Sequence, residues 1–166
     1  IDCIETLKSF FNQRIDKLLS STDIVDIMNI LGRAVVSGGV RRSSELALGN
    51  PDDHLYLEMK DPDLYSAEIE HHRWNSNNSI LTHVGMDYND LAKQTAKNGE
   101  PGYVYLDNMR KYGRIKDGAD YKDDLVKGCN PCGEMSLNSS ELCCLVETFP
   151  SSHDDREDFF RTLKFA

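Results

Sequence analysis

The chain has 166 residues, of which 39% are hydrophobic and 28% are charged, and these ordinary values argue against a disordered chain. Its 19 basic and 28 acidic residues give a formal charge of -9, which argues against a general affinity for nucleic acid. No apolar run reaches the roughly eighteen residues that cross a bilayer, and the N-terminus lacks a signal-peptide pattern, so we expect a cytoplasmic protein without membrane partners.

Basic residues are concentrated in two short patches. Arg41-Arg42 and His71-His72-Arg73 are the compact ones, and each is too short to follow a polynucleotide. The two histidines are expected at the surface, because no cysteine or acidic residue stands at metal-ligand spacing from them.

Both ends of the sequence indicate a part of a larger protein. The chain begins at Ile1 without a methionine, and it ends at Ala166 inside a helix that is predicted to begin near Asp154. We therefore expect residues 1–166 to form a single partial domain, with other parts of the same protein before and after it.

The first half of the chain predicts helices that alternate with short strands. Apolar residues at helical spacing indicate a helix over Thr22–Val36, which the pair Gly38-Gly39 ends. The elements predicted next are a strand over Glu45–Leu48, a turn over 49–53, and two short helical pieces over 52–70 divided at Asp61-Pro62.

A second strand is predicted over Trp74–Ile80, with Trp74 in the core. Asp87 then caps a predicted helix that runs to about Lys97, where Asn98-Gly99 supplies a stop signal. Alternating aromatic and β-branched residues indicate a short buried strand over Gly102–Leu106.

The last third of the chain is built around cysteines. A charged, turn-rich stretch from Asn108 to Lys127 leads to the sequence Cys-Asn-Pro-Cys-Gly-Glu, and Leu142–Phe149 is the next predicted strand. The alternation of helices and short strands along the chain predicts an α/β fold, for which a parallel barrel is one arrangement.

The most informative stretch is Asn130-Pro131-Cys132-Gly133-Glu134, which Cys143 follows. In an extended conformation, residues two apart project to the same face, so the amide, the thiol and the carboxylate would line one side of a strand or finger loop. One small substrate could then touch all three. The proline removes a backbone donor and the glycine permits conformations that other residues resist, which together indicate a shaped loop tip.

Four clustered cysteines also allow a structural zinc site. Cys129-x-x-Cys132 and the pair Cys143-Cys144 supply four sulfur ligands for a non-enzymatic zinc-binding module. The spacing disfavours it, because adjacent cysteines point apart in a strand and tetrahedral sites usually draw each ligand pair from residues two to four apart.

Two other interpretations of the cysteines concern redox chemistry and packing. A thioredoxin-type dithiol at Cys129 and Cys132 would open a helix, for which Gly133 is a poor start. Cysteines that merely pack are common, because free cysteine is among the most buried residue types. Packing alone leaves Asn130 and Glu134 unexplained, because burying a carboxylate two residues from a thiol costs free energy and would need a chemical reason.

Four motifs, taken in order along the chain, resemble those of one enzyme family. They are Val35–Gly49, His72–Ser79, Asn98–Gly102 and the cysteine stretch Cys129–Leu137 with Leu142–Pro150. The motifs are similar to those of the adenosylcobalamin-dependent (class II) ribonucleotide reductases, and especially of the monomeric ribonucleoside-triphosphate reductase branch. The resemblance runs from about Asp23 onward.

The resemblance implies a fold and a role for each residue of the cysteine stretch. The fold would be a ten-stranded α/β barrel of two half-barrels, of which this chain carries part of the first and a finger loop at about 128–136. Cys132 matches the thiyl-radical cysteine that takes the 3′ hydrogen of the ribose, and Glu134 matches the carboxylate that accepts the 3′ hydroxyl proton. Asn130 matches the amide that hydrogen-bonds the substrate, and Cys143 matches one member of the redox pair.

The resemblance also implies partners and a reaction. The family reduces ribonucleoside triphosphates to 2′-deoxyribonucleotides for DNA synthesis, with adenosylcobalamin as the source of the radical, a deoxynucleotide as allosteric effector and thioredoxin as reductant. The redox partner of Cys143, the second half-barrel and the C-terminal cysteines are expected in the missing N- and C-terminal parts. The isolated chain is therefore expected to be inactive, and the residues that hold the cofactor stay unassigned.

Five further residues are expected near the substrate or the effector. Arg41 and Arg42 match a family segment that senses the substrate base or the effector, and the alternative for them is a solvated turn. Asn77, Asn78 and Ser79 are expected at a strand end that faces the substrate cavity, with a plain polar strand as the alternative.

A second enzyme class is the main rival within the same superfamily. The large subunit of class I ribonucleotide reductases carries a corresponding motif, which usually lacks Pro131 and Gly133.

Overall fold

The computed structural model describes residues 2–39, 43–112, 119, 123–144 and 146–165. The α-helices in this part of the chain are α1 Asp2–Asn12, α2 Ser21–Val36, α3 His54–Glu58, α4 Pro62–His71, α5 Asn89–Asn98, α6 Leu106–Tyr112 and α7 Arg156–Leu163. Short 3-10 helices cover Arg73–Asn75 and Pro150–Ser152. The strands are β1 Glu45–Gly49, β2 Ser76–Leu81, β3 Gly102–Val104, β4 Gly128–Cys129 and β5 Ser136–Leu137.

A three-stranded parallel sheet organises the first two thirds of the chain. Its order is β1-β2-β3, with helices α3 and α4 between the first two strands and α5 between the second and third. Parallel strands need such crossovers, so the predicted α/β class is confirmed. The predicted strands at Glu45–Leu48, Trp74–Ile80 and Gly102–Leu106 are confirmed with small shifts of their bounds.

Local signals set several helix ends where the sequence places them, although the N-cap of α5 is Tyr88 and not the predicted Asp87. Ser20 and Asp23 form a capping box at the start of α2, because each side chain bonds the backbone N–H of the other residue. Asp61 caps α4, whose first residue is Pro62, so the division of the two helical pieces is confirmed. Gly99 ends α5 with a φ of 84°, a left-handed conformation that favours glycine.

The apolar core lies between the sheet and helices α3 and α5. It is formed by Tyr56, Met59, Ile80 and Leu91. The Tyr56 hydroxyl lies 2.7 Å from the Ala47 carbonyl oxygen of β1 and 2.9 Å from the Ser79 carbonyl oxygen of β2, so its proton is shared between two strands. Burial raises the pKa of Tyr56, which keeps the hydroxyl a donor.

Polar side chains in the interior join helix α2 to the start of β2. The Asp26 carboxylate accepts hydrogen bonds from Arg73 Nε at 2.7 Å and Nη2 at 2.8 Å, and His72 Nε2 lies 2.9 Å from it. Arg73 also donates to the Met59 carbonyl oxygen. Burial acts to raise the pKa of Asp26, but the bonds from Arg73 and His72 outweigh it and hold the pKa below its usual value.

The two faces of the sheet have different neighbours. Gly49 lies directly under the Tyr56 ring, and its register partner Ile80 is in the core, so these positions face the helices. Leu48 and its register partner Ser79 point the other way, because side chains alternate along a strand. Gly102 pairs with Ser79 on that face, where a Cβ would lie 2.6 Å from the Ser79 hydroxyl oxygen.

Several expectations from the sequence are wrong. Trp74 is 52% exposed and lies outside the core. His72 is buried rather than at the surface, because its ring bonds Asp26, a residue 46 positions earlier in the chain. The described residues of 142–149 form no strand, and their apolar side chains are exposed, as for Leu142 at 81%.

Two helices were not predicted. Helix α1 carries apolar residues at helical spacing, so its pattern was available in the sequence. Helix α6 lies partly in the charged, turn-rich stretch. Its 7 residues are too few to show a clear helical period in the sequence. No helix in the described ranges combines the length and the apolar character that a membrane crossing requires.

We predict that Tyr56→Phe destabilises the chain by about 1–2 kcal/mol, because it removes the donor shared by two buried carbonyl oxygens and leaves the ring in place. The measurement is the free energy of unfolding from urea titration. Tyr112→Phe, at a ring that is 44% exposed, is the matched control and should change little. An equal effect of the two substitutions would contradict the bridging role.

Candidate functional site

A short hairpin presents the cysteine stretch. Strands β4 and β5 pair antiparallel through Gly128 with Leu137 and Cys129 with Ser136. The loop between them is closed by Asn130 N–H to the Met135 carbonyl oxygen at 3.1 Å. This two-residue stem and its compact loop cover the residues for which a finger loop was predicted, about 128–136, and we call the hairpin over 128–137 the finger from here on.

The loop tip is a turn rather than an extended segment. Gly133 N–H donates to the Asn130 carbonyl oxygen at 2.9 Å, which closes a four-residue turn with Pro131 and Cys132 at its centre. Gly133 has a φ of 85°, which explains the glycine at this position. The alternation expected of an extended strand therefore does not apply, and side-chain contacts instead join Asn130 to Glu134 and to Cys143.

Asn130 is the centre of this arrangement. Its side chain is 5% exposed, and its Oδ1 accepts the Met135 backbone N–H at 3.0 Å. This bond fixes which end of the carboxamide is the donor. Its Nδ2 then lies 2.5 Å from Glu134 Oε1 and 3.5 Å from Cys143 Sγ. One amide thus contacts both the carboxylate and the second thiol.

The thiols differ in exposure. Cys132 at the tip is exposed and Cys143 is partly buried. Cys129 is also partly buried, and burial followed by the nearby Glu134 carboxylate raises the pKa of its thiol, which keeps it protonated. Cys144 is exposed. The site therefore offers one accessible thiol at the tip and one, Cys143, held against an amide.

The base of the finger rests on the sheet. Gly128 passes Leu48 of β1 so closely that a Cβ would lie 2.9 Å from Leu48 Cδ1. Val126, two residues earlier, is 2% exposed, and its carbonyl oxygen accepts Arg110 Nε of α6 at 3.1 Å. These contacts hold the finger on the face that also carries Ser79. Sequence reasoning missed both Val126 and Arg110, because their partners are distant in the chain.

The five residues expected near the substrate or effector lie in different places. Asn77 and Ser79 are two apart on β2 and share the face of the sheet that carries the finger. Asn78 lies on the opposite face, where its Oδ1 accepts the Ser76 hydroxyl at 2.9 Å. Arg41 and Arg42 lie outside the described residues.

The clustered cysteines do not form a metal site in the part of the chain that the structure describes. Among the described ranges, no three histidine, cysteine, aspartate or glutamate side chains converge so as to hold a metal ion. The arrangement instead offers groups for chemistry on a bound ligand: an exposed thiol for atom transfer, a carboxylate for a proton, and an amide that contacts both the carboxylate and a second thiol.

The known proteins that this chain resembles have closely similar descriptions. The chain is 44% identical over 163 residues to a protein of Dictyostelium discoideum described as a probable adenosylcobalamin-dependent ribonucleoside-triphosphate reductase, covering 98% of this chain and 21% of the relative. Enzymes of the same description from Euglena gracilis and Lactobacillus acidophilus are 48% and 46% identical over 90% and 96% of this chain. The chain spans about a fifth of the length of these relatives. No protein-family model and no solved structure matches it.

We predict that Asn130→Asp loosens the finger in a pH-dependent way. The new side chain keeps the acceptor for the Met135 N–H but turns a second carboxylate toward Glu134, and the two negative charges repel each other once both groups are ionised. Stability relative to the unmodified chain should fall as the pH rises above about 4, by no more than about 1 kcal/mol because Glu134 is exposed to solvent.

The measurement is urea unfolding at a series of pH values. Asn50→Asp is the matched control, because the Asn50 Oδ1 likewise accepts a backbone N–H, that of Asp52, in an exposed turn. A variant at position 130 whose stability follows the same pH curve as the control would rule out the contact with Glu134.

Proposed function

The chain is homologous over nearly its whole length to the adenosylcobalamin-dependent ribonucleoside-triphosphate reductases, and we propose that it supplies part of the catalytic barrel of such an enzyme. The three parallel strands would belong to the first half-barrel, and the hairpin at 128–137 would be the finger inside it. The observation that carries the proposal is the contact of one buried amide, Asn130, with both Glu134 and Cys143.

The proposed reaction reduces a ribonucleoside triphosphate at its 2′ carbon. The sulfur radical of Cys132 takes the 3′ hydrogen of the ribose, while Glu134 accepts the proton of the 3′ hydroxyl. The 2′ hydroxyl leaves as water. Cys143 and a second thiol supply two electrons and two protons and become a disulfide, and Cys132 finally returns the hydrogen to the 3′ carbon. One cysteine therefore serves in every turnover without being consumed.

The exposure of each group supports its role. The Cys132 thiol stands at the tip, where it can meet a sugar, and its position in the turn is fixed by Pro131 and Gly133. Glu134 is exposed but bonded to Asn130, so its carboxylate has a defined direction before substrate arrives. Because the amide also contacts Cys143, the proton acceptor and the reductant are aligned by the same group.

The fit of this chain to adenosylcobalamin rests on the Cys132 thiol, which is exposed at the tip of the finger and so can be reached by a radical generator bound beside it. When bound, the cofactor supplies the radical by homolysis of its cobalt–carbon bond. The chain's own contribution is the position of the sulfur atom and the exclusion of water, which a closed barrel would provide.

Substrate and partners follow from the same homology. Asn77 and Ser79 face the finger side of the sheet, so we propose that they line the substrate cavity, with Asn78 supporting the strand from behind. Arg41 and Arg42 are proposed to lie on a loop that senses the base or a deoxynucleotide effector. The remaining parts of the enzyme would complete the barrel and pass electrons from thioredoxin to Cys143, in the cytoplasm.

We predict that Cys132→Ser, made in the longer enzyme that contains this chain, lowers turnover of ribonucleoside triphosphates by about 10³-fold or more, because an oxygen radical of serine cannot be formed in its place. Nucleotide affinity should stay roughly unchanged. Cys3→Ser is the matched control, because its sulfur lies on α1 against the Ile30 carbonyl oxygen. Near-normal turnover of the Cys132 variant would refute the radical role.

A further inference from the structure

A chain of side-chain contacts runs from the surface of α2 to the buried Asp26. Arg33 Nη1 lies 2.6 Å from His71 Nε2, and His71 Nδ1 lies 3.1 Å from His72 Nδ1. His72 Nε2 in turn lies 2.9 Å from Asp26 Oδ1. Arg33 and Asp26 both belong to α2, whereas the histidines end α4, so the contacts form a loop that joins the two helices.

The chemistry of these groups allows a single arrangement of protons. An arginine can only donate, so His71 Nε2 must be unprotonated and its proton must sit on Nδ1. That Nδ1–H then donates to His72 Nδ1, which must accept, so the proton of His72 sits on Nε2. The Nε2–H of His72 donates to the Asp26 carboxylate, which can only accept.

A proton added to His71 has no place in this arrangement. It would have to bind Nε2, where it would meet the Arg33 guanidinium at hydrogen-bond distance with no acceptor between them. His71 is exposed at the edge of a cleft of about 500 Å³, so solvent protons can reach it. The cleft lies between α1, α2 and α4.

The charged groups around His71 come from all three helices. Arg33 of α2 and the neighbouring His72 oppose a positive charge on the ring, and Asp2 of α1 favours it. Glu5 of α1, Glu68 of α4, Arg14 before α2 and Asp26 line the same cleft. The Asp2 carboxylate also lies 3.5 Å from Arg33 Nη2, so it can pair with Arg33 or with a protonated His71.

We propose that His71 is a proton-operated latch: the neutral ring ties Arg33 to the end of α4, and protonation releases that tie. The inference goes beyond the proposed catalytic function and does not depend on it. Arg33 lies three residues before the end of α2, and the chain continues from there toward Arg41 and Arg42. Release of Arg33 would therefore free the last turn of α2.

The direction of the effect follows from the electrostatics. Burial, followed by the charge of Arg33 and the neighbour His72, lowers the pKa of His71 below its ordinary value. The unfolded chain then binds the proton more tightly than the folded chain. The stability contributed by the neutral ring is fully present above the ordinary pKa, about 6.5, and is lost as the pH falls from there through the lowered pKa of the folded chain.

The first test is nitrogen NMR of the histidine rings in the unmodified chain near pH 7.5. We expect His71 to carry its proton on Nδ1, the less common form of free histidine, and His72 on Nε2. A proton on Nε2 of His71 would overturn the proposal. This measurement needs no variant, so it decides the question even if substitutions here prevent folding.

The second test follows the titration of His71 itself. Arg33→Met should raise the pH midpoint at which His71 takes its proton, because the opposing charge is removed and the methionine cannot donate. Arg161→Met, which removes a cation paired along α7 with Asp158, is the matched control and should leave the midpoint in place. An unchanged midpoint in the Arg33 variant would overturn the latch.

The third test is the response of the fold. The urea midpoint of the unmodified chain should fall between about pH 7.5 and about pH 5.5. His71→Gln offers an acceptor to Arg33 and a donor to His72 without titrating, so it should flatten that dependence, whereas His83→Gln, at an exposed ring after β2, should keep it. Equal pH dependence in both variants would contradict the latch.

Discussion

The ion pair of Asp26 with Arg73 is the contact on which the described fold depends most. Both residues are nearly fully buried, at 3% and 4% exposure, so neither charge could stay without the other. The guanidinium bonds the carboxylate at two points and also reaches the Met59 carbonyl oxygen. Helix α2, the core residue Met59 and the 3-10 helix before β2 are thereby held in one geometry, next to the register of β1 against β2 in which Glu45 pairs with Ser76.

That register decides what the site can be. With Leu48 opposite Ser79, the finger meets the sheet on the face that carries Asn77 and Ser79, and the helices cover the other face. The close passage of Gly128 over Leu48 leaves room for no larger residue. The exposed thiol of Cys132 therefore stands on the finger, at the face of the sheet opposite to the one that the core helices cover.

The sequence predicted what depends on neighbours in the chain and missed what depends on distant partners. Capping at Asp61 and the left-handed Gly99 are local, and both helix ends were found. The burial of His72 depends on Asp26, which is 46 residues away, and no local sequence pattern indicates it. At the finger, the motif predicted roles for Asn130, Cys132, Glu134 and Cys143, whereas the turn and the amide contacts required coordinates.

The bond from the Met135 backbone N–H to the Asn130 side chain has an evolutionary consequence. The group that aims the amide belongs to the main chain, which every amino acid but proline provides. Substitutions at position 135 can therefore accumulate without exchanging the donor and acceptor ends of the Asn130 carboxamide. The orientation of the Asn130 amide toward Glu134 and Cys143 is inherited with the shape of the loop, and only a proline at position 135 would remove the N–H that sets it.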